Sequence, residues 1–195
     1  NGEYKSTDNV DTVNSLILSQ TNSRSVRNVI NLKNSSGIPT TICSFSFTEP
    51  VGITHANYSY TVMIYSTNAN MPHLYLNYKN NKYSPLFQKA LSLPLEFENK
   101  FSLLAPAEYE MEALQIFTPD ILESVLELNL NMDVELLNNQ VIFFIERPIT
   151  PTFFGHLQKI EKEYPNMNSF MNLLLPRINK FDFEKIGDKS PYLKD

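Results

Sequence analysis

The sequence predicts an α+β domain, with a mainly antiparallel sheet in the N-terminal two thirds and a helical segment at the C-terminal end. Three observations predict it: apolar and polar residues alternate early in the chain, a capped amphipathic helix follows, and helical spacing dominates after residue 150. Strands followed by helices favour helices packed on one face of a sheet. We expect a single domain at 26–180, a flexible or peripheral segment at 1–25 and a polar tail at 181–195.

The strand signal is strongest between residues 41 and 47. Every second residue there belongs to one predicted buried face, in the order Thr41, Cys43, Phe45 and Phe47. A period of two is the signature of a strand with one face buried. Further strands are predicted at 26–32, 58–66 and 73–78, with one or two at 93–105 and a helical turn at 84–90. Turn-forming residues at 35–37, 49–52 and 68–70 favour an antiparallel meander.

A helix is predicted to begin at Thr118-Pro119-Asp120, because threonine caps a helix, proline suits its first turn and aspartate favours its positive end. Apolar residues follow at a spacing of 3.6, including Leu122 and Val125, and the helix should end near 129–131. The pair Asn138-Asn139 then predicts a hairpin turn between strands at 133–137 and 140–146.

Two helical stripes are predicted after residue 150, with Pro165 as the break between them. The first consists of Phe153, Phe154, Leu157 and Ile160, and the second of Met167, Phe170, Met171, Leu174 and Ile178.

Charge and cysteine usage exclude several classes of function. The net charge is −5 and the 16 basic residues are scattered singly, which argues against nucleic acid as a partner. Cys43 is the only cysteine, so the chain forms no intramolecular disulfide and no cysteine-rich zinc site, and it fits a reducing compartment. We expect no cofactor and no metal. The apolar patch at 13–18 is too short to span a membrane.

The order of several segments resembles uncharacterised soluble domains of bacterial membrane proteins. These segments are Pro72-His-Leu-Tyr-Leu, Leu93-Pro94-Leu95 leading to Phe101-Ser-Leu, Phe117-Thr-Pro-Asp and Val134-Glu-Leu-Leu-Asn-Asn-Gln-Val-Ile-Phe, and the similar region covers residues 26–178. The resemblance implies a cytoplasmic domain tethered to a membrane by an anchor outside this sequence. It carries no catalytic residue over to this chain.

Candidate catalytic residues are few. Glu108, Glu110 and Glu112 form an alternating acidic cluster that could do acid–base chemistry if folding brought a histidine close, with His73 as the candidate. A solvated face or the negative first turn of a helix explains the cluster more simply. His55, His73 and His156 lack the spacing of a helical metal site.

Tyrosines are the candidate binding residues. Tyr58, Tyr60, Tyr65, Tyr75 and Tyr78 fall on neighbouring predicted strands. Cross-strand pairing explains them most simply, and the alternative is a binding surface, since tyrosine is enriched at interfaces.

Two functions remain open. The first is a non-enzymatic binding or scaffolding domain that acts on a protein partner. The second is a hydrolase or transferase with a dispersed carboxylate and histidine site. No nucleotide loop, nucleophile elbow or metal-ligand spacing occurs in the sequence, which favours the first.

Overall fold

A computed structural model of the chain describes residues 3–9, 13–19, 21–34, 36–81, 90–146 and 164–180. In these ranges the strands are β1 (Glu3–Asp8), β2 (Asn22–Lys33), β3 (Pro39–Val51), β4 (Thr54–Tyr78), β5 (Phe101–Leu104) and β6 (Asp133–Ile145). The helices are α1 (Leu16–Ser19), α2 (Leu95–Glu98), α3 (Glu110–Ile116), α4 (Pro119–Glu127) and α5 (Pro165–Ile178).

The described strands form one antiparallel sheet, as predicted, and β4 is its centre. β4 pairs with β3 through its first half and with β6 along most of its length. Its last residues pair with β5, on the edge that β3 has left. β2 and β1 extend the sheet beyond β3. The C-terminal end of β4 therefore has strand partners on both sides.

The two faces of the sheet bury separate apolar clusters, because successive β4 residues point to opposite sides. Met63 and Leu76 belong to the cluster that contains residues of α2, α3, α4 and α5. Val62 and Ile64 belong to the other cluster, into which α1 inserts Ile17 and Leu18. The expectation of helices on one face is therefore too simple, since α1 covers the opposite face.

The N-terminal segment differs from the flexible or peripheral segment expected at 1–25. β1 pairs with β2, and Leu16, Ile17 and Leu18 of α1 are buried. The short apolar patch at 13–18 covers one face of the sheet, a role that its length did not indicate. Ordered structure therefore begins before residue 26.

Two predicted turns are wrong. Asn68-Ala69-Asn70 lies inside β4 and Asn138-Asn139 lies inside β6, so each pair of predicted strands is one long strand. The segments 68–70 and 138–139 lie opposite each other, at the point where the pairing of β4 with β6 is irregular. Eight residue steps along β4, from Ser66 to Leu74, lie opposite four along β6, from Gln140 to Leu136. Asn138 adopts a left-handed φ of 53°, the conformation expected of it, but on the shorter side of this irregularity, since the extra residues belong to β4.

The helix predictions are confirmed where the structure describes them. α4 begins at Pro119 and buries Leu122 and Val125, and the whole stripe from Met167 to Ile178 is buried along α5. The Thr118 hydroxyl donates to the Asp120 carboxylate, 2.6 Å away, rather than capping the backbone. Within 93–105 the structure contains β5 and the short α2. The stripe at 153–160 and residues 84–89 lie outside the described residues.

Candidate functional site

A row of buried polar side chains crosses the sheet face that α1 covers. β4 contributes His73, Tyr75 and Asn77, and β6 contributes Asp133 and Glu135. Their neighbours Leu74 and Val134 point to the opposite face and its apolar cluster. Tyr75 and Glu135 are direct cross-strand partners. Strand alternation therefore gathers these side chains on one surface of two adjacent strands.

Glu135 is the anchor point of α1. One carboxylate oxygen, Oε1, lies 2.8 Å from Nε2 of His73 and accepts the backbone N–H groups of Leu16 at 3.1 Å and Ile17 at 3.3 Å. Glu135 is fully buried and His73 is 4% exposed. A buried carboxylate needs such donors, because an unpaired one is costly. This arrangement ties α1 to the sheet, which is a structural role.

Asp133 has an unusual electrostatic environment. Burial raises the pKa of its carboxyl group to about 7, and the negative charge of Glu146 adds to the effect. The Tyr78 backbone N–H, which donates to Oδ1 at 2.6 Å, acts in the opposite direction, as do the side chains of Asn81 and Tyr75. Burial, followed by the charge of Asp133, raises the pKa of Tyr75 well above its usual value.

Next to Asp133 lies an open cavity of about 540 Å³ between the end of β4, the α4–β6 connection and the start of α5. The described residues that line it are Tyr78, Asn80, Asn81, Asn129, Asn131, Met132, Ile145, Glu146, Tyr164, Pro165 and Asn166. The volume lies in the range of small-molecule sites. Five of these eleven residues are asparagines, so amides are the most frequent polar groups of the lining.

Backbone conformation and side-chain hydrogen bonds hold three of these asparagines in place. Asn129 follows α4 with a left-handed φ of 49°, which asparagine tolerates well. The Asn166 amide donates to the Leu128 carbonyl oxygen at 2.6 Å and so ties the start of α5 to the end of α4. The Asn80 amide donates to the Tyr78 hydroxyl at 3.3 Å. The side chains of Asn129 and Asn131 are exposed.

The candidate acidic residues lie elsewhere. Glu108 belongs to a 3₁₀ turn, and Glu110 and Glu112 occupy the first turn of α3, an arrangement typical of the negative start of a helix. They are not among the described residues that line the cavity. His73 contacts Glu135 instead, and His55 is exposed in β4. His156 lies outside the described residues.

The five candidate tyrosines pack mainly against phenylalanines of the sheet. Tyr58 and Tyr60 stack on Phe47, with ring centroids 4.9 and 6.0 Å apart. Tyr65 meets Phe143 edge-on, and its hydroxyl donates to Asn168 of α5.

Two of these tyrosines also belong to the buried polar row or to the cavity lining. Tyr75 is part of the buried polar row, and Tyr78 packs on Phe101 and lines the cavity. Tyr78 is therefore the candidate binding tyrosine that the structure places at a cavity.

Cys43 is fully buried in the cluster beneath α1, where burial and the nearby charge of Asp8 raise the pKa of its thiol to about 12. Such a thiol is a poor nucleophile. Among the described residues, no group of three or more His, Cys, Asp or Glu side chains is placed to hold a metal ion.

Asp133, Glu135 and the asparagines of the cavity were not among the residues selected from the sequence. A signal existed for the first two, because acidic residues at alternate positions interrupt an otherwise apolar strand, as His73 and Asn77 do in β4. The asparagines carried no local signal, since asparagine occurs throughout the chain.

Comparison with protein-family models and with curated protein sequences finds no match. Among solved structures, the chain is similar to the crystal structure of the mycobacterial trehalose monomycolate transport factor A, TtfA. The TM-score is 0.56 at 10% sequence identity, over 89% of this chain and 88% of that one. This likeness concerns the fold. In the described part of the chain, no helix is long and apolar enough to cross a membrane.

Proposed function

We propose that this chain is a non-enzymatic binding or scaffolding domain, and that the cavity at the end of β4 is its binding site. Its setting in this proposal is a bacterial membrane-associated protein, where it serves a transport-related assembly. Its partners there are a small molecule held in the cavity and neighbouring proteins of the assembly.

The proposal is supported by the difference between the side chains that line the cavity and the ionisable side chains that are buried in the interior. The cavity is lined mainly by amide and tyrosine groups, which bind without reacting. The buried ionisable groups are engaged in holding the fold: Glu135 anchors α1, and Asp133 accepts the Tyr78 N–H. Enzymes more often place such groups at the cleft itself.

The likeness to TtfA supports the transport setting, because that protein is described as a transport factor and the two chains match over most of their lengths. The resemblance to soluble domains of bacterial membrane proteins agrees with it. A cytoplasmic, membrane-tethered location is part of the proposal. Fractionation of the natural full-length protein tests it, and a cleavable signal peptide on that protein would contradict it.

One observation favours the alternative, a hydrolase or transferase. Asp133 has a carboxyl pKa of about 7, suited to acid–base chemistry, and Glu146 lies close enough to influence it. However, Asp133 is only 2% exposed and lies beneath the cavity rather than on its surface. The geometry therefore gives it poor access to a substrate.

Photo-crosslinking in living cells tests the proposed site. A lysine analogue that carries a small diazirine on a slender, flexible side chain, and so does not fill the cavity, replaces Asn131 or, as a matched control, Asn172, an exposed asparagine on α5 outside the cavity lining. We expect a defined adduct from position 131 and none from position 172. Identical adducts from both positions, or none from position 131 in a folded protein, would contradict the proposal.

A further inference from the structure

The chemistry of the cavity lining restricts what it can hold. Each asparagine side chain has two N–H donors and one carbonyl acceptor. Asn80 and Asn166 each use one N–H within the chain and Asn81 bonds to Asp133, so the exposed Asn129 and Asn131 contribute most of the donors and acceptors offered to a ligand. Among the described lining residues, none is a lysine, an arginine or a histidine, and Glu146 is the one acid. The described part of the lining therefore offers no cation to an anionic ligand.

The cavity also offers aromatic surface. Tyr78 packs on Phe101 with ring centroids 5.4 Å apart, which holds its ring in position. Tyr164 precedes α5 and is half-buried, and it forms part of the lining. Tyrosine combines an apolar ring with a polar hydroxyl. The lining therefore suits a ligand that has apolar C–H faces and many neutral polar groups.

The end of β4 does not accept a further peptide strand. A peptide that extends a sheet needs an edge with free backbone groups. At the end of β4, Tyr78 pairs with Phe101 of β5, and Leu76 pairs with Val134 of β6. Both edges of β4 are occupied beside the cavity, so a peptide cannot add to β4 there.

We propose that the cavity binds a neutral polyhydroxylated ligand, that is, an uncharged sugar or the sugar headgroup of a glycolipid, through its asparagine amides and tyrosine rings. Hydroxyl groups of a sugar both donate and accept, which matches the amides, and the C–H face of the ring packs on tyrosine. This inference rests on the proposed function, since it names the ligand class of the same cavity.

The test is a titration of the isotopically labelled 195-residue chain with trehalose and with maltose, followed through the side-chain amide signals of its asparagines by NMR. We expect saturable shifts of the cavity amides. Asn131→Ala should weaken binding about threefold or more, the loss expected for one neutral hydrogen bond. Asn172→Ala, the control on the exposed part of α5, should leave affinity unchanged.

Charged sugars distinguish a site for neutral sugars from a site for cations or anions. Glucosamine is cationic and glucose 6-phosphate is anionic, so a site for neutral sugars should prefer neither over trehalose or maltose. Glu146→Gln removes the acid of the lining and should leave binding of the neutral sugars in place. Binding of glucosamine alone, lost in Glu146→Gln, would overturn the inference in favour of a cation site.

The crosslinking and NMR experiments together identify the source of the ligand and show which of the two proposals holds. Release of a glycolipid from the crosslinked adduct at position 131 would identify a lipid headgroup, and a free sugar would identify a soluble ligand; both support the inference. If adducts form at position 131 but no neutral sugar shifts the cavity amides and the adduct contains no sugar, the inference fails and the binding function stands. If neither adducts nor shifts occur, both fail.

Discussion

His73 and Glu135 are 62 positions apart in the sequence, yet Nε2 of His73 lies 2.8 Å from Oε1 of Glu135 in the buried layer beneath α1. The same oxygen accepts two backbone N–H groups from α1. The candidate catalytic histidine is therefore a component of the contact that fixes the N-terminal segment to the sheet. Since the contact joins α1, β4 and β6, its loss should affect the whole N-terminal layer.

Replacing Glu135 with alanine should destabilise the chain by about 3 to 5 kcal/mol, because it leaves a buried histidine and two amides without their acceptor. Urea unfolding measures the loss. Hydrogen exchange at Leu16 and Ile17 should accelerate more than exchange in α4. Glu123→Ala, at an exposed position of α4, is the control and should change stability by no more than about 0.5 kcal/mol. Equal effects of the two substitutions would contradict the anchoring role.

Replacing Leu122 with alanine should cost about 2 to 5 kcal/mol, since its side chain is 5% exposed in the core between α4 and the sheet. Leu173→Ala is a matched control on α5, where the leucine is 41% exposed. The control should have a much smaller effect on the urea midpoint. An unchanged midpoint in Leu122→Ala would mean that α4 is oriented differently.

The buried Asp133 should make stability depend on pH. Its pKa is about 7 in the folded chain and near 3.8 when unfolded, so the folded state binds more protons between these values. Stability should therefore fall as pH rises from about 4 to about 7, and the loss should be complete above that range. A difference of about three pH units corresponds to about 4 kcal/mol.

Asp133→Asn isolates this effect, because asparagine keeps an acceptor for the Tyr78 N–H without the charge. The variant should gain stability relative to the parent chain on going from about pH 5 to about pH 8. Urea unfolding at both pH values measures the difference in stability between the variant and the parent chain. The contributions of the other carboxylates cancel in this difference, because both chains contain them. A difference that is constant with pH would show that Asp133 titrates normally.

Cys43 should be inert towards thiol reagents in the folded chain, because it is fully buried and its thiol pKa is about 12. Ellman's reagent should react with one thiol in urea and with almost none in native buffer at neutral pH. Rapid labelling of the native chain would place Cys43 at an accessible surface instead.

The elements that were predicted correctly depend on local periodicity. The stripe of α5, the start of α4 and the shared side of Cys43, Phe45 and Phe47 each follow from residues close in sequence. The single buried face predicted for this strand is wrong, because Ile42 is buried on the opposite side and Thr41 is only half-buried. The error at residues 138–139 has a local cause. Asn138 has the left-handed conformation that a hairpin turn needs, but it lies within a continuous strand opposite an irregularity of β4, so the local sequence alone does not separate the two. Asn68 and Asn70 have no left-handed conformation, and the chain between them continues as strand.

The candidate site was harder to predict because it depends on contacts between distant segments. Asp133 lies beside Tyr78 only because β4 and β6 pair, and the cavity forms only because Asn166 of α5 reaches the end of α4. The alternating acidic residues of β6 were not selected from the sequence, and their partners follow only from the strand register. Among the described residues, Tyr78 is the one selected from the sequence that lines the cavity.

The central claim, that the chain works by binding at the cavity rather than by catalysis, is tested most directly by restoring a strain that lacks the gene. Asn131→Trp fills the cavity from an exposed position and should fail to restore the strain. Asp133→Asn and the combined Glu108→Gln, Glu110→Gln and Glu112→Gln should restore it, provided that each variant is folded and expressed at the parental level. Full restoration by Asn131→Trp, together with failure of the folded carboxylate variants, would contradict the account and favour the enzyme alternative.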